Sequence, residues 1–132
     1  MKFRKHDITS ERGQTMTEFA MVLPLLVVLL LGVIQFGIAF NNYVALTDAA
    51  RAASRKGAVS RESGNPVGDC TAAGFNAAGD LDQSQLKVTC SFSAYQPGAD
   101  VTVTGTYPYS INLLGWVVKS GDLKTQIKER LE

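Results

Sequence analysis

At 132 residues the chain has room for one membrane helix and one small domain. Its formal net charge of +1 excludes a dedicated nucleic-acid binder, which carries a strong basic excess. Hydrophobic residues make up 45% of the chain but concentrate in one run, so the polar remainder can build only a small core, and small cores commonly need a staple.

Residues 1–13 are polar and basic: Lys2, Arg4, Lys5 and Arg12 stand against Asp7 and Glu11. Next come Gly13-Gln14-Thr15-Met16-Thr17-Glu18-Phe19 and an almost unbroken apolar run to Phe40. The 22 residues from Phe19 to Phe40 contain one strongly polar member, Gln35. At the helical rise they cover roughly 33 Å, enough to cross a hydrocarbon core of about 30 Å. The basic leader predicts a cytoplasmic N-terminus and an exported C-terminus, although Arg51, Arg55, Lys56 and Arg61 on the far side weaken the bias. A cleaved secretory signal fits less well, because its apolar region is usually shorter and ends at a small-residue site. Pro24 interrupts the run and cannot donate to the carbonyl of Ala20, so the helix should loosen there.

Helical patterning continues past Phe40. Tyr43, Leu46, Ala50 and Ala53 recur at spacings of three and four, which predicts an amphipathic continuation to about Gly57. Ser60 to Gly79 is rich in Gly, Ser, Asn, Pro and Ala and reads as loop. Leu86, Val88, Cys90, Phe92 and Ala94 then share one face of an alternating run, and Val101, Val103, Gly105 and Tyr107 one face of a second. The Pro97-Gly98 turn between them predicts an antiparallel hairpin. Ile111 to Val118 is too short to span a membrane and reads as a buried loop or short helix, with Trp116 packed on the domain. Leu123, Thr125, Ile127 and Leu131 alternate as a last strand, with a C-terminal helix as the competing assignment.

These elements predict an α+β chain. Its long N-terminal helix is transmembrane in its first half and precedes a small antiparallel β domain. The expected divisions are a leader at 1–13, a helix at 14–57 and an extracytoplasmic domain at 58–132.

The one histidine, His6, lies in the leader, so a Ser-His-Asp arrangement or a common zinc site is excluded from the domain. Asp80-Leu81-Asp82 resembles the start of a calcium loop, but the glycine and glutamate that complete an EF-hand are missing. With no glycine-rich phosphate loop either, the expectation is a protein without catalytic residues, metal, cofactor or small-molecule substrate. Cys70 and Cys90 fall on the exported side, where pairing is the simplest outcome; separate thiols or pairing between subunits are the alternatives.

Glu18 has two readings. One is a carboxylate in the headgroup region, favoured by the helix dipole. The other needs a partner charge at the same depth. A cut after Gly13 would give Gln14 a new α-amine four residues from Glu18. The amine of one subunit could then pair with the carboxylate of another and set the register of packed helices.

Arg12-Gly13-Gln14, Glu18-Phe19-Ala20 and Leu23-Pro24-Leu25-Leu26, with Ala49-Ala50-Arg51 and Arg55 further on, resemble the TadE-like pseudopilins of the tight-adherence (Tad/Flp) type IV pilus system. Val101-Thr102-Val103, Tyr107-Pro108-Tyr109 and the terminal Arg130-Leu131-Glu132 resemble later parts of that family. The resemblance implies a pilin-like fold in the cytoplasmic membrane. It implies cleavage after Gly13 by a membrane prepilin peptidase, with Gly13, Gln14, Glu18 and Phe19 as recognition elements. It also implies subunit packing through Glu18 and Pro24, and as partners other pilins or pseudopilins, pilus assembly proteins and membrane lipid. A membrane-anchored binding module, using Tyr95, Tyr107, Tyr109 and Trp116 as an aromatic patch, is the alternative.

Overall fold

A computed structural model describes the backbone of residues 8–132 and the side chains from Gly13 onward. The charges of the leader, on which the expected orientation depends, lie outside the described residues. Helix α1 runs from Ile8 to Val59 and continues through Pro24. Its end falls within two residues of the expected Gly57.

The helix has two different halves. No part of its most apolar stretch is buried within the protein. The continuation, in contrast, carries the core: Leu46, Ala49, Ala50 and Ala53 are fully buried. Small residues on this stripe let other backbones approach closely. A Cβ added at Gly57 would come 3.0 Å from Val101 Cγ2 and 3.2 Å from Cys70 Sγ.

Residues 60–79, read as loop from composition, contain a second helix, α2 (Pro66–Ala77). Asn65 caps it, accepting a hydrogen bond from the Gly68 N–H at 3.0 Å, and Pro66 occupies the first turn. Asp69 adds a carboxylate near the positive end of the helix, where Ser63 Oγ donates to it. The small, weakly helical residues that masked this element are what allow it to lie against α1.

Three antiparallel strands follow in the order β1-β2-β3: β1 (Lys87–Phe92), β2 (Asp100–Leu113) and β3 (Trp116–Arg130). The expected hairpin is present, with Cys90 opposite Val103 and Phe92 opposite Val101. Its inward face alternates as the sequence predicts, through Leu86, Val88 and Cys90, then Val101, Val103 and Gly105. The last element is a strand, with Thr125 opposite Gly105 and Ile127 opposite Val103. The chain end is tied back to the helix. Leu131 N–H donates to Ala99 O at 2.7 Å, and Glu132 N–H donates to Ala58 O at 3.2 Å.

Ile111 to Val118 corrects the sequence reading. It is the far end of the β2–β3 hairpin, turning at Leu114 (φ 52°) and Gly115 (φ 88°), and Trp116 is 82% exposed rather than packed on the domain. Two positive φ values fit the tight turn that matches strand twist. Leucine is an uncommon residue in that region, so the turn was hard to foresee.

Cys70 and Cys90 form a disulfide with Cα atoms 6.4 Å apart. The sequence placed Cys70 in a loop; the bond instead ties helix α2 to the edge strand β1. The result is the expected α+β architecture, with one additional helix in the head.

Candidate functional site

Gly13, Gln14, Glu18 and Phe19 lie within the first described turns of α1, all exposed. Gln14 and Glu18 are one turn apart on the same face, and Gln14 Nε2 donates to Glu18 Oε1 at 3.1 Å. Thr17 Oγ1 donates to the Gly13 carbonyl at 2.9 Å. A Cβ at Gly13 would meet nothing within 4 Å. Gly13 is therefore not required by packing. Its local effect is to weaken the helix, by about 1 kcal/mol relative to alanine.

Beyond this cluster the apolar side chains point outward on every side of the helix. Phe19, Leu25, Leu29, Val33, Phe36 and Phe40 are all more than half exposed. A continuous apolar surface of this kind is stable only when lipid or other protein covers it. Pro24 sits within this exposed stretch, six residues after Glu18.

The structure does not bring the N-terminal cluster near the domain. Gly13 and Gly57 are separated by roughly 65 Å of helix. Whatever acts on Gly13, the domain cannot reach it.

The aromatic residues considered as a binding patch are also dispersed. Tyr95, in the connection between β1 and β2, stacks on Phe92 with ring centroids 5.3 Å apart. Trp116 lies at the other end of β2, and Tyr107 and Tyr109 are half-buried between them.

Asp82 is used locally. Its carboxylate accepts hydrogen bonds from Ser84 Oγ at 2.7 Å, the Ser84 N–H at 2.9 Å and Gln85 Nε2 at 3.2 Å. These bonds, the Ser84 hydroxyl foremost, hold its pKa below the usual carboxylate range. Among the described residues no group of three or more His, Cys, Asp or Glu side chains is placed to hold a metal ion.

Sequence reasoning missed one exposed feature, the apolar tip of the β2–β3 hairpin. The available signal was the Leu114-Gly115 pair between two runs rich in β-branched residues.

The fold defines a class: a helix long and apolar enough to cross a membrane, carrying a small disulfide-linked α+β head on its second half. Residues 13–55 match the family model described as TadE-like protein. The similarity covers about a third of the chain, the helix without the head. No curated protein and no solved structure matches the chain significantly.

Proposed function

We propose that this chain is a minor pseudopilin. It is made as a membrane precursor with its N-terminus in the cytoplasm and its head outside the cytoplasmic membrane. A prepilin peptidase cuts it between Gly13 and Gln14. The processed chain supports assembly of a Flp-type pilus by packing its apolar helix laterally against other pilins or pseudopilins. The role is structural, and the chain performs no reaction itself.

One observation carries this reading. A weak helix position, Gly13, and a carboxylate, Glu18, lie at the edge of an apolar helix whose side chains stay largely exposed, within the segment similar to TadE-like proteins. A buried core helix would show the opposite exposure. A simple anchor would have no need for Gly13 or Glu18 at those spacings. The anchored binding module loses its main support, because Tyr95 and Trp116 lie at opposite ends of β2.

The N-terminal residue and intact mass of the membrane-extracted protein test the proposal, in cells with and without a prepilin peptidase. A chain starting at Gln14 only when the peptidase is present supports it. A chain starting at Met1 in both overturns the processing step and returns the anchored module.

A further inference from the structure

We propose that the tip of the β2–β3 hairpin, Leu113–Val118, is a second membrane contact that enters the outer leaflet at shallow depth beside α1. This contact rests on reading Phe19–Phe40 as a membrane span.

The direction of the hairpin is the first argument. Gly105 of β2 lies over Leu46, whose Cδ1 would be 3.0 Å from an added Cβ. Further along β2, Tyr109 and Ile111 face Phe36, Phe40 and Tyr43 across a groove of about 440 Å³. The hairpin therefore runs back along the helix toward its apolar half. The turn at Leu114-Gly115 lies beyond this groove, on the side of the apolar half. Gln35, Ala39 and Asn42 line a second groove together with Tyr107, Tyr109 and Ser110. Gln35, the polar residue of the span, thus faces the hairpin side.

The chemistry of the tip is the second argument. Leu114 is 71% exposed, Trp116 82%, and Val117 and Val118 63% each. No charged residue occurs from Ser110 to Val118. The first charges, Lys119, Asp122 and Lys124, line the groove at the level of Phe36 to Tyr43. An apolar tip with a charged collar fits a leaflet boundary, where lysine stems can extend toward water and Trp and Tyr are favoured.

Strand pairing limits the depth. β1 pairs with β2 only as far as Thr106, so beyond it the hairpin is a two-stranded ribbon. Such a ribbon is marginally stable alone in water, and its open edges could not be satisfied in the hydrocarbon core. A shallow seat against the helix and the leaflet satisfies both constraints.

Trp116 is the sole tryptophan and reports directly on the tip. The test uses the full-length protein in phosphatidylcholine–phosphatidylglycerol vesicles at a protein-to-lipid ratio low enough to separate copies. Trp116 emission is read with iodide on both sides of the membrane, and with lipids brominated at shallow or deep positions. A fluorophore on Leu29→Cys reports on the helix in the same vesicles. The expected result is blue-shifted Trp116 emission, severalfold protection from iodide relative to the urea-unfolded chain, and strongest quenching by shallow bromines. A double variant, Val117→Asp with Val118→Asp, should remove that protection and leave the helix probe buried. Trp116 as accessible to iodide as in the unfolded chain, with the helix probe buried, overturns the contact but leaves the span intact. A tip covered only by a neighbouring subunit would give this result. Both probes in water overturn the span and the contact together. Protection that survives the double variant also overturns the proposal.

Discussion

Gly74 of α2 lies directly against Ala53 of α1: a Cβ added at Gly74 would be 3.2 Å from Ala53 Cβ and 2.9 Å from Val88 Cγ1. The absence of one side chain lets α2 fit between the long helix and the first strand. Val88 is β-branched and cannot swing away cheaply. Gly74→Ala should therefore lose more by crowding than it gains in helix propensity, a net destabilisation of about 1–2 kcal/mol. Gly64, with nothing within 4 Å of an added Cβ, supplies the control. Gly64→Ala should stay within ~0.5 kcal/mol of wild type. Urea denaturation of the detergent-solubilised protein, followed by near-ultraviolet circular dichroism, compares them.

The disulfide closes a sequence separation of 20 residues between α2 and β1. In the chain-entropy account this contributes about 3 kcal/mol, a large share for a head of this size. Cys70→Ser with Cys90→Ser, or reduction of the native protein, should lower the urea midpoint accordingly. α2 should be affected most, because its other contacts with the domain are made largely by small side chains. Hydrogen exchange across Pro66–Ala77 resolves that ordering. Equal loss of protection in β2 and α2 would contradict it.

Asp82 gives a pH dependence with a definite sign. Its folded pKa is lowered by hydrogen bonds from Ser84 and Gln85. The carboxylate therefore contributes stability above its unfolded pKa and loses it as pH falls through the lower, folded value. Wild type should lose stability on the acid side of the ordinary carboxylate range, and Asp82→Asn should flatten part of that slope. Thermal melts from neutral to strongly acidic pH measure the difference. Parallel slopes in the two proteins would show that the local bonds do not act as described.

Glu18 is exposed and accepts from Gln14 on its own helix, far from the head. Glu18→Ala should leave the stability of the head within about 0.5 kcal/mol of wild type. If the carboxylate aligns packed helices as proposed, the substitution should reduce pilus-associated protein roughly tenfold, equivalent to ~1.4 kcal/mol of lost pairing. Immunoblotting of membrane and sheared-pilus fractions separates the two effects. A normal amount in both fractions would confine Glu18 to a headgroup position.

Much of this architecture was legible in the chain. The apolar run, its amphipathic continuation through Leu46 and Ala53, and the alternation of Val88 with Cys90 and Val101 with Val103 are local patterns. Helix and strand periods impose them whatever the neighbours. The Gly13-to-Phe19 order was legible for the same reason, because its meaning lies in spacing along one helix. α2 was hidden because Gly68, Thr71 and Gly74 are poor helix formers, although Asn65-Pro66 carried a start signal.

By itself, then, the sequence determined a bare apolar helix with Glu18 at one end, a small β head and two cysteines able to pair. The tertiary structure alone decided that Cys70 sits on a helix rather than in a loop. It also decided that Leu114-Gly115 is a hairpin turn and that Trp116 is exposed beside it. Those outcomes depend on non-local contacts: Gly105 over Leu46, Gly74 against Ala53, and β2 paired with β3 across fourteen register positions. Pairing across the whole hairpin imposed a positive φ on Leu114 that its own preference would not select.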